Sequence, residues 1–137
     1  MISQSLRRQV RERAKGCCEY CLSQEQFSPT PFSVEHIILV CKSGADTLDN
    51  LAWSCQDCNN HKYTQTHVPD PITQQEVRLY HPRQDQWSKH FAWHKNYSVI
   101  LGLTPIGRAT IARLKMNRLS VVNLRQILYH SGLHPRS

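Results

Sequence analysis

Four of the six cysteines fall into two pairs, Cys18-x-x-Cys21 and Cys55-x-x-Cys58. Two such pairs can set four thiolates around one zinc ion at about 2.3 Å. All four coordination positions are then filled by protein, so this zinc is structural and performs no chemistry on a substrate. Buried free thiols and a redox dithiol are the competing readings, and the paired spacing in a reducing compartment favours metal. Cys17 lacks the two-residue gap to Cys21, and Cys41 stands at a strand end; neither receives a role. The stretch between the pairs, Leu22 to Ser54, is longer than the span of a bare zinc ribbon, so something else is inserted there. That insert and the residues just behind it hold the remaining chemistry. Glu35 and His36 interrupt the apolar run FSVEHIILV, Asn50 follows after a turn, and Asn59 stands directly behind the last cysteine of the two pairs.

The elements that must position these groups are legible in outline. Residues 4–15 read as a helix, with Leu6, Val10 and Ala14 recurring every four positions among arginines, and Gly16 as its stop. Residues 32–40 are β-branched and apolar, hence a strand, and within it Glu35 and His36 point to opposite faces. A turn with Gly44 leads to a short second strand or bridging segment at 48–54, and a helix begins at Cys55 and runs to Lys62. Val68 to Pro71 reads as a breaker-rich linker. Short strands are expected at 76–80, 90–94 and 97–101, then helices at 104–115, with Thr104-Pro105 as its capped start, and at 121–129. The expected organisation is an N-terminal module over 1–67 and a basic C-terminal extension over 68–137 that packs on it.

The stretch from Arg13 to Lys62 resembles the HNH endonuclease family: CEYC, then VEHI, then a turn with Gly44, then LDNLAWSCQDCNNHK. Four ordered elements at compatible spacings carry the resemblance, which covers about a third of the chain. It implies an α+β fold, a small zinc-stapled ββα-metal (His-Me finger) module followed here by a basic α+β extension. By position, it implies Glu35 and Asn59 as ligands of a catalytic divalent ion, His36 as the general base that activates water, and Asn50 as the holder of the loop that orients His36. Elementary chemistry agrees. Oxygen donors suit Mg²⁺ or Mn²⁺, such an ion stabilises charge developing on a phosphate, and histidine's ordinary pKa of about 6.5 suits proton transfer near neutrality. The sequence departs from the family in having Glu for the commoner Asp, Asn59 where many relatives have His, and no Pro or paired Gly after the His-bearing strand.

Charge points the same way. The formal net charge is +7, residues 1–16 carry five cations against Glu12 alone, and no Asp or Glu follows Asp85. A one-signed field attracts polyanions, nucleic acid above all. Arg7, Arg11, Lys62 and Arg113 are the expected contacts. In the extension, cations alternate with Trp87, Phe91, Trp93 and Tyr97, which can stack on bases or form a small core, with core the expected fate of the tryptophans. No apolar run approaches the ~20 residues of a membrane span and the N-terminus is polar, so a cytoplasmic location is expected. A zinc deaminase needs His-x-Glu followed by Pro-Cys-x-x-Cys; here Glu precedes His and Ser54 precedes Cys55. The expectation is a metal-dependent endonuclease acting on double-stranded DNA. The alternatives are a nuclease directed at RNA and a non-catalytic zinc module that binds nucleic acid.

Overall fold

The computed structural model describes residues 2–136. The chain divides into two compact units: Met1–Thr66 with His81–Asp85, and His67–Tyr80 with Gln86–Ser137. The return of residues 81–85 to the first unit is marked by no shift in composition. An ion pair inside that unit accompanies it, Arg83 to Glu19. No helix among the described residues is long and apolar enough to cross a membrane.

The first unit opens with α1 (Gln4–Arg13), capped by the Ser3 hydroxyl, which accepts from Leu6 N at 3.1 Å. Val10 is its one buried side chain. The arginines line the wet side, except that Arg13 reaches across to donate to Leu48 O (2.8 Å) and Leu51 O (2.6 Å). Then β1 (Ser33–His36) and β2 (Leu51–Ser54) pair antiparallel, Glu35 opposite Ala52 and His36 opposite Leu51. β2 runs into α2 (Gln56–Lys62), whose N-cap is Cys55. This is a ββα arrangement.

Both expected strands are shorter than the apolar run suggested, and one residue explains why. The Asn50 side chain accepts from Ile38 N and donates to Ile38 O and Ala45 O, each at 2.9 Å. Ile38 therefore pairs its backbone with an amide rather than with a strand, and the ladder stops at His36. Ile37 stays buried, but beyond it Ile38 and Val40 are exposed. The loop then passes so close to itself that a Cβ on Gly44 would lie 1.7 Å from Ile38 O, so only glycine fits there. Residues 48–50 form a single 3₁₀ turn in place of the first half of the expected second strand, stitched by Thr47 to Asp49.

The second unit is built from two hairpins and two longer helices. The segment read as a linker is in fact β3 (His67–Pro69), paired with β4 (Glu76–Arg78). Pro69 is tolerated because this two-stranded sheet leaves its N position unneeded. The hairpin turn is organised by Asp70, which accepts from Ile72 N, Thr73 N and the Thr73 hydroxyl and takes a two-point grip from Arg108 at 3.0 and 2.7 Å. A one-turn helix, α3 (Trp87–His90), leads into β5 (Phe91–His94), which pairs with β6 (Val99–Gly102). α4 (Pro105–Leu114) starts at Thr104, whose hydroxyl accepts from Gly107 N, with Pro105 at the first helical position as expected. α5 (Leu119–His130) starts earlier than its apolar pattern indicated. The core joins Tyr80, Phe91, Ile100, Leu114 and Met116, with Trp87 in tilted ring contact with Phe91 and Trp93.

Candidate functional site

The four expected zinc ligands converge. Cys18, Cys21, Cys55 and Cys58 are buried, and their sulfurs all lie within 4.8 Å of one another. Four sulfurs at about 2.3 Å from one ion sit about 3.8 Å apart. The Cys21 and Cys55 sulfurs are at 3.8 Å. Donor type, burial and spacing therefore fit a tetrahedral zinc. Local structure brings them there: Cys18 and Cys21 bracket a tight turn in which Leu22 N bonds Cys18 O, and Cys55 and Cys58 span the first turn of α2. Hydrogen bonds from neighbouring thiols pull Cys21 well down, while burial pushes Cys18 well up, the pattern of four thiols too close to carry charge independently. A divalent cation among them would stabilise all four as thiolates. Cys17 and Cys41 stand outside the cluster.

Glu35 and His36 occupy opposite faces of β1, and the structure fixes which face is which. Glu35 points inward and is only 5% exposed. The Tyr20 hydroxyl donates to its Oε1 at 2.5 Å, and the Lys62 ammonium sits 3.1 Å from Oε2. Burial pushes the Glu35 carboxyl above its ordinary range, with Lys62 and Tyr20 opposing that shift. Burial also holds the Tyr20 phenol well above its ordinary value, so it stays a donor. Lys62 spends its second contact on Ile37 O at 3.1 Å. Both oxygens of Glu35, the expected metal ligand, are thus engaged, Oε1 by Tyr20 and Oε2 by Lys62. Lys62, expected to touch nucleic acid, is 2% exposed and serves as the buried counter-ion of Glu35. The alternation of a strand predicted two faces. It could not say that the carboxylate would take the dry one.

His36 points the other way and is half-buried. Its Nε2 lies 2.5 Å from Asp46 Oδ1, and that contact holds the Asp46 carboxyl below its ordinary range. Asp46 is a residue of the site that sequence reasoning missed. It belongs to the 42–46 turn, and only the closed loop brings it back to β1. Asn50 is buried and clamps both ends of the loop that carries Asp46. Asn59 is half-buried near the start of α2, and its side-chain amide is spent on no partner among the described residues.

The other expected nucleic-acid contacts are distributed. Arg7 lies at 4.8 Å over the Trp53 ring and donates to Phe32 O. Arg11 pairs with Glu25 at 3.0 Å while staying largely exposed. Arg113, in the second unit, is half-buried on α4.

No curated protein and no solved structure matches the chain. Residues 18–65, the stretch that carries the cysteine cluster, both strands of the first unit, Asn50 and α2, match the family model described as HNH endonuclease, a match over about a third of the chain that points to a nuclease or nucleic-acid-binding function.

Proposed function

We propose that the protein is an endonuclease that hydrolyses phosphodiester bonds in double-stranded DNA, with His36 as the general base. The observation that carries this reading is the His36–Asp46 contact inside the stretch that matches the HNH family model. A carboxylate only accepts, so in the neutral ring Nε2 holds the proton and Nδ1 keeps its lone pair. An imidazole held in that tautomer can take a proton from water as the water oxygen bonds to phosphorus and the bond from phosphorus to one sugar oxygen breaks, that oxygen leaving as the new hydroxyl after taking a proton from solvent. Such positioned bases contribute about 10²–10⁴-fold. Asp46 fixes the ring, Asn50 fixes the loop that holds Asp46, and the cysteine cluster fixes the two ends of the ββα unit. A divalent ion, which the family's chemistry implies, would supply positive charge to the phosphate. Asn59 is the expected ligand that remains open to it; Glu35 is taken up by Lys62 and Tyr20. Arg7 and Arg11, on the wet face of α1, are suited to phosphate contact, Arg11 by exchanging Glu25 for the phosphate.

The test is relaxation of supercoiled plasmid in Mg²⁺ and in Mn²⁺, beside EDTA and the His36→Ala protein. The expected result is nicking that needs the added ion and disappears in the variant. Plasmid left intact in every lane by folded, zinc-bound protein would turn the assignment to a nucleic-acid-binding module or to an RNA substrate, which the same assay with a structured RNA separates.

A further inference from the structure

We propose that the second unit carries its own nucleic-acid site, a pocket between the β5–β6 turn and the end of α5 that seats one base of a single strand against Tyr129 with the adjoining phosphate at Lys95. The inference deepens the reading of the chain as a nucleic-acid enzyme and rests on it. The pocket has a volume of about 480 Å³ and is lined by Lys95, Asn96, Gln126, Ile127, Tyr129 and His130. That is the size range of small-ligand sites. Its lining contains a cation, amides and an aromatic ring but no carboxylate, and no Asp or Glu occurs anywhere from residue 86 to 137. An anionic ligand therefore meets no repelling side chain on this stretch of chain.

The turn is built for display rather than for economy. Lys95, Asn96 and Tyr97 have φ of 52°, 54° and 61°, three successive left-handed residues of which none is glycine. Such backbone persists only where the surroundings hold it, and it concentrates at binding sites. Here the holding groups are explicit. The Ser98 hydroxyl donates to Lys95 O at 2.7 Å, the His134 ring donates to Tyr97 O at 2.8 Å, and the buried Arg125 guanidinium donates to Ser98 O at 3.1 Å. The turn is thereby pre-organised with the Lys95 and Asn96 side chains in solvent. Tyr97 stacks on Tyr129 with ring centroids 5.8 Å apart and planes at 28°, and Ile127 is left 63% exposed beside them.

A base has a π-face whatever its identity, so aromatic rings beside a cation hold single strands with little sequence preference. The division of labour within the pocket follows from α5. Its C-terminal carbonyls make that end partially negative, which suits the amino and ring N–H groups of a base and not a phosphate. The phosphate belongs on the opposite wall, at Lys95. A duplex keeps its bases stacked on each other and cannot offer one to Tyr129.

The experiment is fluorescence anisotropy in EDTA, with labelled oligothymidylate, oligouridylate, an abasic strand of equal length and a duplex, titrated with the full chain. The expected result is tighter binding of the strands with bases than of the abasic strand. Tyr129→Ala should weaken the base-containing strands about ten-fold and leave the abasic strand unchanged, while Tyr129→Phe restores the loss. Lys95→Glu, which changes an exposed side chain that the fold does not use, should weaken all single strands. The thymidylate and uridylate arms decide between DNA and RNA. Equal affinity for abasic and base-containing strands, or affinities that neither Tyr129→Ala nor Lys95→Glu changes, overturns the pocket. A Tyr129→Ala protein that still nicks plasmid with unchanged strand affinity overturns the pocket alone; Tyr129-dependent strand binding without any nicking keeps the pocket and overturns the nuclease.

Discussion

The two units solve the same problem of small size by different means. The first unit holds a functional loop, several short turns and a buried ion pair around four cysteines, with Trp53, Tyr20 and Phe32 as its main apolar mass. The second has no metal-holding cluster among its described residues and relies on aromatic rings packed edge-on and tilted and on two arginines whose charges are spent on internal acceptors, Arg108 on Asp70 and Arg125 on three oxygens. Both units bury charge, Glu35 with Lys62 in the first and Asp70 and Arg125 in the second, and among the described residues only the first also holds four cysteines able to bind a zinc ion. In so short a chain a metal held by those cysteines would add to the apolar contacts that support Glu35, Lys62 and the long loop between β1 and β2.

Removing the clamp should separate the two units most sharply. Chelation, or Cys55→Ser, should unfold the first unit, because a structural zinc site contributes its binding energy directly to folding. The second unit should keep its structure. Amide exchange read residue by residue checks this: protection should vanish around β1 and β2 and persist in α4 and α5. Equal loss in both units would end the contrast.

The next largest effect belongs to the ion pairs. Lys62→Met leaves the Glu35 carboxylate buried without its cation, a defect that costs about 3–5 kcal/mol, whereas the double change Glu35→Gln with Lys62→Met should recover most of it. Thermal melts of the single and double variants decide. In the second unit Arg108→Ala should lower the melting temperature by roughly several degrees for the same reason, since Asp70 is fully buried.

The two carboxylates should also respond to pH with opposite signs. Asp70 is held well below its ordinary value of 3.8, first by Arg108, so it binds fewer protons folded than unfolded. Its stabilising contribution is present above 3.8 and is lost as pH falls through the folded value. Glu35 is raised above its ordinary 4.5 by burial, so the folded state binds more protons, and its contribution shrinks as pH rises from 4.5 toward the folded value. Denaturant titrations of Asp70→Asn and Glu35→Gln against the parent, across that range, should show the two differences sloping in opposite directions. Slopes of one sign would remove the contrast. The smallest effect is Arg11→Ala, which breaks an exposed pair with Glu25 and should change stability by under about 1 kcal/mol.

Much of this was readable in the chain. The cysteine spacing indicated the clamp, the apolar run indicated β1, and the resemblance implied Asn50, which the structure shows to be the residue that ends the strand ladder. What the chain hid was set by tertiary contacts. Strand alternation separates Glu35 from His36 but cannot choose the buried face; Tyr20 and Lys62 choose it, one from before β1 and the other from the far end of α2. Asp46 looked like a turn residue because its partner is reached only when Gly44 lets the loop fold back on Ile38. β3 was masked by Pro69 and Pro71, whose usual meaning as breakers is overridden by the Asp70–Arg108 grip.

The most direct test of the central claim is single-turnover cleavage of a labelled duplex by wild-type protein and by His36→Ala, both shown to bind zinc and to melt alike. The account predicts a rate about 10²–10⁴-fold lower in the variant with duplex affinity unchanged. Equal rates would contradict it, because His36 could then not be the group that takes the proton.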